Sequence, residues 1–85
     1  MRIVWDEQKR RANIAKHGLD FSEVDAFEWA DAFIAPSHSR RFKAIGRFGE
    51  RLIVVVYAPL GREAIAIVGM RPAGKKERQV YERQG

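Results

Sequence analysis

The sequence predicts a single α+β domain with helices packed on a small antiparallel sheet. Two observations predict it. First, the period of the apolar residues changes at Arg40. Before that point they recur at spacings of three and four, the signature of a helix face; after it they alternate, the signature of a strand. Second, the apolar runs beyond Arg40 are joined by short turns, which favours an antiparallel meander over parallel crossovers. At 85 residues the chain has room for one domain, residues 1–85, and 46% hydrophobic residues suffice for a packed core.

The elements follow in order. Arg2 to Trp5 reads as a short edge strand. Asp6 can cap a helix over Glu7 to Lys16, because its carboxylate can accept orphan amide N–H groups and Glu7 suits the helix dipole. His17-Gly18 is a stop, since glycine takes the left-handed conformation that ends helices. A second helix is predicted from a Ser22 cap, with Phe21 packing against Ala26 as a staple and Val24, Phe27, Ala30 and Ile34 on one apolar stripe. Pro36 ends that helix and Ser37 to Ser39 form a loop. Phe42, Ala44, Gly46 and Phe48 then alternate with Arg41, Lys43, Ile45 and Arg47. Phe48 to Arg51 supplies a turn, Leu52 to Tyr57 a β-branched central strand, Pro59-Leu60-Gly61 a second turn and Glu63 to Met70 a third strand. After Arg71-Pro72, Ala73 to Arg83 reads as a short basic helix. Trp5, Trp29, Phe42 and Phe48 are expected in the core or as anchors of an interface.

Charge is unevenly spread. There are 16 Lys and Arg against 11 Asp and Glu, a net of +5 with a pI near 10.1. Asp20, Glu23, Asp25, Glu28 and Asp31 form an acidic stretch without a base, whereas Arg40, Arg41, Lys43 and Arg47, then Arg71, Lys75, Lys76, Arg78 and Arg83, form basic ones. A folded chain can thus present a basic face that suits a phosphate backbone, or simply a well-solvated surface. The chain has no cysteine, which removes disulfides and cysteine-based zinc sites and fits a reducing compartment. Met1 to Lys16 has no apolar run, so no signal peptide is expected, and the longest apolar stretch, Leu52 to Leu60, is far short of a membrane span. A cytoplasmic protein is the expectation.

Several chemistries lack their motifs. His17 and His38 are far apart and carry no HExxH spacing, so no metal is expected. No phosphate-binding glycine loop is present, so no nucleotide cofactor is expected; Ser22, Ser37 and Ser39 sit in no nucleophile elbow. What remains is cations at element ends. Cleavage of a phosphodiester by the ribose 2′-hydroxyl needs a base for the 2′ proton, positive charge for the five-coordinate phosphorus, and an acid for the leaving 5′ oxygen. Arginine forks match phosphate oxygens, and histidine transfers protons near neutrality. Lys16 and His17 end the first helix, either as an active-site pair or as cations favoured by the helix dipole. Arg41 and Arg71 lie at strand ends that neighbouring strands can bring together, or are ordinary surface charge. Arg40, Lys43, Lys75, Lys76 and Arg78 are candidates for RNA phosphate contacts, against the alternative of a solvated face. Tyr81 can transfer a proton if its pKa is tuned, or simply pack its ring on the sheet.

The ordered set of motifs resembles the BrnT toxin family. Val4-Trp5-Asp6, then Lys9, Asn13 and Lys16-His17-Gly18, match its opening, and Phe21-Ser22-Glu23-Val24 its next segment. Arg41-Phe42, Ile45-Gly46 and Leu52 to Val56 resemble its middle strands; Val68-Gly69-Met70-Arg71-Pro72-Ala73 with Lys76-Glu77-Arg78 and Tyr81-Glu82 resembles its close. The resemblance implies a RelE-like ribonuclease toxin fold, RNA cleavage that arrests translation, and neutralisation by a BrnA-like antitoxin that carries the DNA-binding domain and represses the operon. Carried over by position, Lys16, His17, Arg41 and Arg71 are its active-site residues, with Tyr81 a further candidate. Two positions depart from the family pattern: Arg40 stands where an acid is usual, and Gly69 where serine is usual. They motivate a second reading, a toxin-fold module of weak or no activity that binds an antitoxin and acts in repression or RNA binding. A small basic nucleic-acid-binding domain unrelated to toxins is a third.

Overall fold

The computed structural model describes residues 1–84. Its elements run β1 (Arg2–Trp5), α1 (Glu7–His17), two 3₁₀ turns (Phe21–Ala26 and Trp29–Asp31), β2 (Phe33–Pro36), β3 (Phe42–Phe48), β4 (Arg51–Leu60), β5 (Ala64–Pro72) and α2 (Lys75–Gln84). They form a five-stranded sheet in the order β1-β5-β4-β3-β2. The α+β class and the antiparallel meander β3-β4-β5 are as the sequence predicts. β1 is an edge strand and lies parallel to β5, with Arg2 beside Ala64 and Trp5 beside Ile67.

The first helix follows its local signals. Asp6 accepts from the Gln8 amide at 2.8 Å, and Gly18 closes the helix at φ 68°. The second helix does not form. Asp20, not Ser22, is the cap: its carboxylate accepts from the Ser22 amide at 2.9 Å and from the Ser22 hydroxyl at 2.8 Å. The chain then makes 3₁₀ turns in which the Phe27 amide and the Trp29 indole both donate to the Val24 carbonyl, at 3.1 Å each. Val24 and Phe27 are buried as the stripe requires, but Ala30 is exposed and Ile34 is 43% exposed. Phe33 to Pro36 instead pairs with Ile45 to Phe42, giving the sheet a strand the apolar spacing does not reveal. A stripe spanning only three turns is matched by turn-plus-strand, and sheet pairing satisfies more backbone than an isolated short helix.

The connections are also tighter than predicted. β2 and β3 are joined by a reversal at His38 to Arg41, with Ser39 at φ 56°, Arg40 at φ 60° and the Arg41 amide donating to the His38 carbonyl at 3.0 Å. Two successive positive φ angles define a type I′ turn, whose twist suits a hairpin. Pro59 and Leu60 belong to β4, and the chain reverses after them at Gly61, φ 64°. β5 continues through Arg71 to Pro72, and α2 starts at Lys75 rather than Ala73.

The larger core lies on the face covered by α1 and the 3₁₀ turns. Ala44, Ile53, Val55, Ile67 and Met70 of the sheet meet Leu19, Phe21, Val24 and Phe27. Gly46 is required there, because a Cβ at that position would come within 2.8 Å of the Phe27 ring. Trp29 and Phe48 pack at its margin, and Phe42 stacks on Tyr57 at 5.8 Å. Asn13 ties α1 to this layer: its carbonyl accepts from the Met70 amide at 3.1 Å, and its amide donates to the Leu19 carbonyl at 2.9 Å. Met70 lies beyond the end of the β1–β5 pairing, so the Asn13 side chain satisfies a strand amide that β1 does not reach.

Candidate active site

The other face of the sheet lies under α2 and carries a smaller core of Ile45, Leu52 and Val54, with Phe33, Val56, Ala73 and Tyr81 packed against it. Strand alternation puts Lys43 and Ile45 of β3 on this face, and the register sets Ile45 across from Val54 and Val54 across from Arg71. Lys43 and Arg71 thus arrive on one surface from two strands with β4 between them. The two guanidiniums named from sequence are not brought to one strand end: Arg41 precedes Phe42, which is level with Tyr57 and Ile67, whereas Arg71 is level with Val54 and Ile45 towards the other end of the sheet, because antiparallel pairing sets the start of β3 beside the start of β5 and not its close.

The start of α2 supplies their counter-ion. Glu77 is the third residue of the helix, and its carboxylate reaches back to accept from the Gly74 amide at 2.8 Å, half of a capping box. The same carboxylate takes both arms of Arg71, Nη1 to Oε1 and Nη2 to Oε2 at 2.7 Å each, and Lys43 Nζ at 3.1 Å. Arg71 Nη1 also donates to the Pro72 carbonyl at 3.3 Å. The Glu77 side chain is 14% exposed, against 39% for Arg71 and 32% for Lys43. The Arg71 guanidinium, aided by the Gly74 amide and Lys43 and opposed by burial, holds the Glu77 carboxyl down at about 2. Glu77 in turn pushes the Arg71 pKa up. The trio keeps one net positive charge beside a shallow hollow of about 170 Å³, which Lys43, Lys76 and Glu77 help to line.

The remaining predicted site residues are spread around this centre. Tyr81 lies one turn beyond Glu77 on the same helix face and packs its ring on the smaller core. Lys75, Lys76 and Arg78 are exposed on α2, and Arg40 is exposed at the hairpin tip. α1 sets out beside Ile67, meets Met70 through Asn13, and therefore advances along β5 towards Arg71. His17 is four residues past Asn13, on the same helix face, and half-buried; Lys16 is exposed. Among the described residues no hydrogen bond or ion pair joins Lys16 or His17 to Arg71, whose partners are Glu77 and Pro72. Glu77 is the residue that reading for cations misses. The spacing Gly74-Lys75-Lys76-Glu77 before a helix is a capping-box signal that could have placed it.

A five-stranded, mostly antiparallel sheet with two helices, carrying two cations and a carboxylate on one face of a basic chain, defines a small α+β protein. Comparison with known proteins gives the particular family. The model of the BrnT ribonuclease toxin family of type II toxin–antitoxin systems matches residues 5–77, so the chain belongs to that family. It is similar to the crystal structure of the Brucella abortus ribonuclease toxin BrnT, with 42% sequence identity and a TM-score of 0.78. That similarity covers 88% of this chain and 99% of the other. A search of curated proteins finds no match. The fold predicted from the motifs is thus the observed one, and the family segment contains Lys43, Arg71 and Glu77 but stops short of Tyr81.

Proposed function

We propose that this ribonuclease toxin is a metal-independent endoribonuclease that cuts RNA within the chain and thereby arrests translation. The observation that carries the reading is the gathering of Lys43 and Arg71 on a face where both paired cations remain partly exposed. The ribose 2′-oxygen attacks phosphorus and loses its proton to a base. The bond to the 5′ oxygen breaks, that oxygen takes a proton, and a 2′,3′-cyclic phosphate remains. Arg71 stabilises the negative charge of the five-coordinate phosphorus, Lys43 adds to that field, and Arg41, nearer the hairpin end, holds a neighbouring phosphate. His17 or Lys16, approaching along α1, handles protons, with Tyr81 as a further donor. In this reading the charge of the transition state falls to guanidinium and ammonium groups. Arg40, Lys75, Lys76 and Arg78 hold the flanking phosphates.

The toxin acts in the cytoplasm and is neutralised by a BrnA-like antitoxin, which brings the pair to operator DNA. Among the described residues no helix is long and apolar enough to cross a membrane. A second reading has its own observation: Arg71 is engaged in both arms by Glu77. A toxin-fold module of weak activity, acting through the antitoxin in repression, would look the same at rest.

The test is tightly induced expression of wild type and Arg71→Ala in bacteria, following growth and RNA integrity in EDTA-treated extracts. Growth arrest and RNA cleavage by the wild type, reduced at least about 100-fold in a folded Arg71→Ala protein, is the expected result. Intact RNA and normal growth with folded wild-type protein would move the assignment to the non-catalytic module.

A further inference from the structure

We propose that Glu77 is a positioning residue whose carboxylate occupies the place of an RNA phosphate on Arg71 and Lys43, and that substrate enters by displacing it. This rests on the ribonuclease reading for its substrate but not for its test. A carboxylate and a phosphate use the same edge of a guanidinium, two parallel N–H···O bonds, and a molecule can hold only one of them there at a time. Glu77 makes that two-pronged pair now, at 2.7 Å on each arm, with Lys43 closing on one oxygen at 3.1 Å.

Three further features fit a displaceable occupant rather than a permanent staple. The cations are the accessible partners and the carboxylate the sheltered one, so an incoming anion meets Arg71 and Lys43 first. Glu77 keeps a partner when they leave, because the Gly74 amide holds Oε1 at 2.8 Å and spares the carboxylate an orphaned state. Glu77 also stands at the start of α2, where the helix dipole favours its negative charge without help from Arg71. Until substrate arrives, the carboxylate holds both arms of the Arg71 guanidinium, and so lowers the ordering required when the phosphate binds.

Glu77→Gln separates these roles. Glutamine keeps the side-chain volume and can still accept from the Gly74 amide, so α2 retains its cap. It removes the charge that competes with phosphate. The probes are inorganic phosphate and a short 2′-O-methyl RNA, which has no 2′-hydroxyl and cannot be cut. Binding is followed by calorimetry and by the NMR signal of the Arg71 Nε–H group in wild type, Glu77→Gln and Arg71→Ala. The expected result is roughly tenfold tighter binding of both probes by Glu77→Gln, a steeper dependence on salt, movement of the Arg71 signal at lower phosphate concentration, and a lower kcat with a lower KM on cleavable RNA. Equal or weaker phosphate binding by a folded Glu77→Gln protein overturns the proposal and leaves the Arg71–Glu77 pair as a structural tie between β5 and α2. Tighter phosphate binding by Glu77→Gln alongside a wild type that cuts no RNA would keep the proposal and remove the ribonuclease reading.

Discussion

On the face of the sheet beneath α1 and the 3₁₀ turns, side chains from the sheet and its cover are apolar and closed from water. Phe21, Ile53 and Val55 have no exposed surface at all. On the face beneath α2, only Ile45, Leu52 and Val54 are buried, and Lys43, Arg71 and Glu77 stand beside them. No residue of α2 is buried. The first face holds the domain together by apolar burial, which is indifferent to pH. The second holds its helix partly through a charge cluster, whose strength depends on solvent, protonation and competing anions. A chain of this size can stabilise one face fully and leave the other adaptable. The adaptable face is where the cations gather.

That contrast can be tested from the largest effect down. Truncating the apolar face should cost most. Phe21→Ala leaves a cavity under a ring with 0% exposure and should destabilise by about 3–5 kcal/mol in urea titration. A loss under about 1 kcal/mol would mean that this face is not the principal core. Gly46→Ala probes the same face from the opposite direction. Its methyl would sit 2.8 Å from the Phe27 ring and 3.3 Å from Ala32, so overpacking by about 1–3 kcal/mol is expected, with a downfield or upfield shift of the Phe27 ring signals in NMR.

The charged face should respond to pH instead. The Glu77 carboxyl is lowered from 4.5 to about 2, so its contribution is complete above pH 4.5 and is lost as pH falls through about 2. After allowance for solvent screening, the stability difference between wild type and Glu77→Gln should be about 1 kcal/mol at neutral pH and close to zero at the acid end. Comparing the two proteins matters, because Glu7, which pairs with Arg10, is also lowered to about 2 and affects both equally. A difference that stayed constant with pH would show that the pair acts by packing alone. The smallest effect is expected at Gly69. A Cβ there meets only Asn13 Oδ1, at 3.9 Å, an ordinary contact. Gly69→Ser should therefore change the melting temperature by no more than about 2 °C, and its activity in the induced-growth assay reports whether the family's usual hydroxyl adds anything.

Much of the fold was legible because its signals are local. Asp6 and Gly18 bound α1 as read, and the β-branched run became the central strand. The misreadings are non-local. The stripe from Val24 to Ile34 looks helical because burying Val24 and Phe27 in 3₁₀ turns and exposing Ile34 on an edge strand produces the same spacing. The parallel placement of β1 beside β5 joins residues about sixty positions apart, and no local pattern encodes it. The candidate site divides in the same way. Arg71 was legible as a cation at a strand end. Its carboxylate partner was not, since a search for positive charge passes over the acid that organises it.

By itself the sequence determined the composition of the two faces: alternation along β3 and β4 commits Ala44, Ile53 and Val55 to one side and Lys43, Ile45 and Val54 to the other. It also determined the caps, the turns that glycine permits and the ordered motifs of the family. Only the tertiary structure decided which charges meet. Lys43, Arg71 and Glu77 come from two strands and a helix, and their contact depends on the β3-β4-β5 register and on where α2 starts. Charge is attracted at short range only after folding has removed the water and the distance between partners, so a list of ionisable residues cannot state the pairs that the register selects.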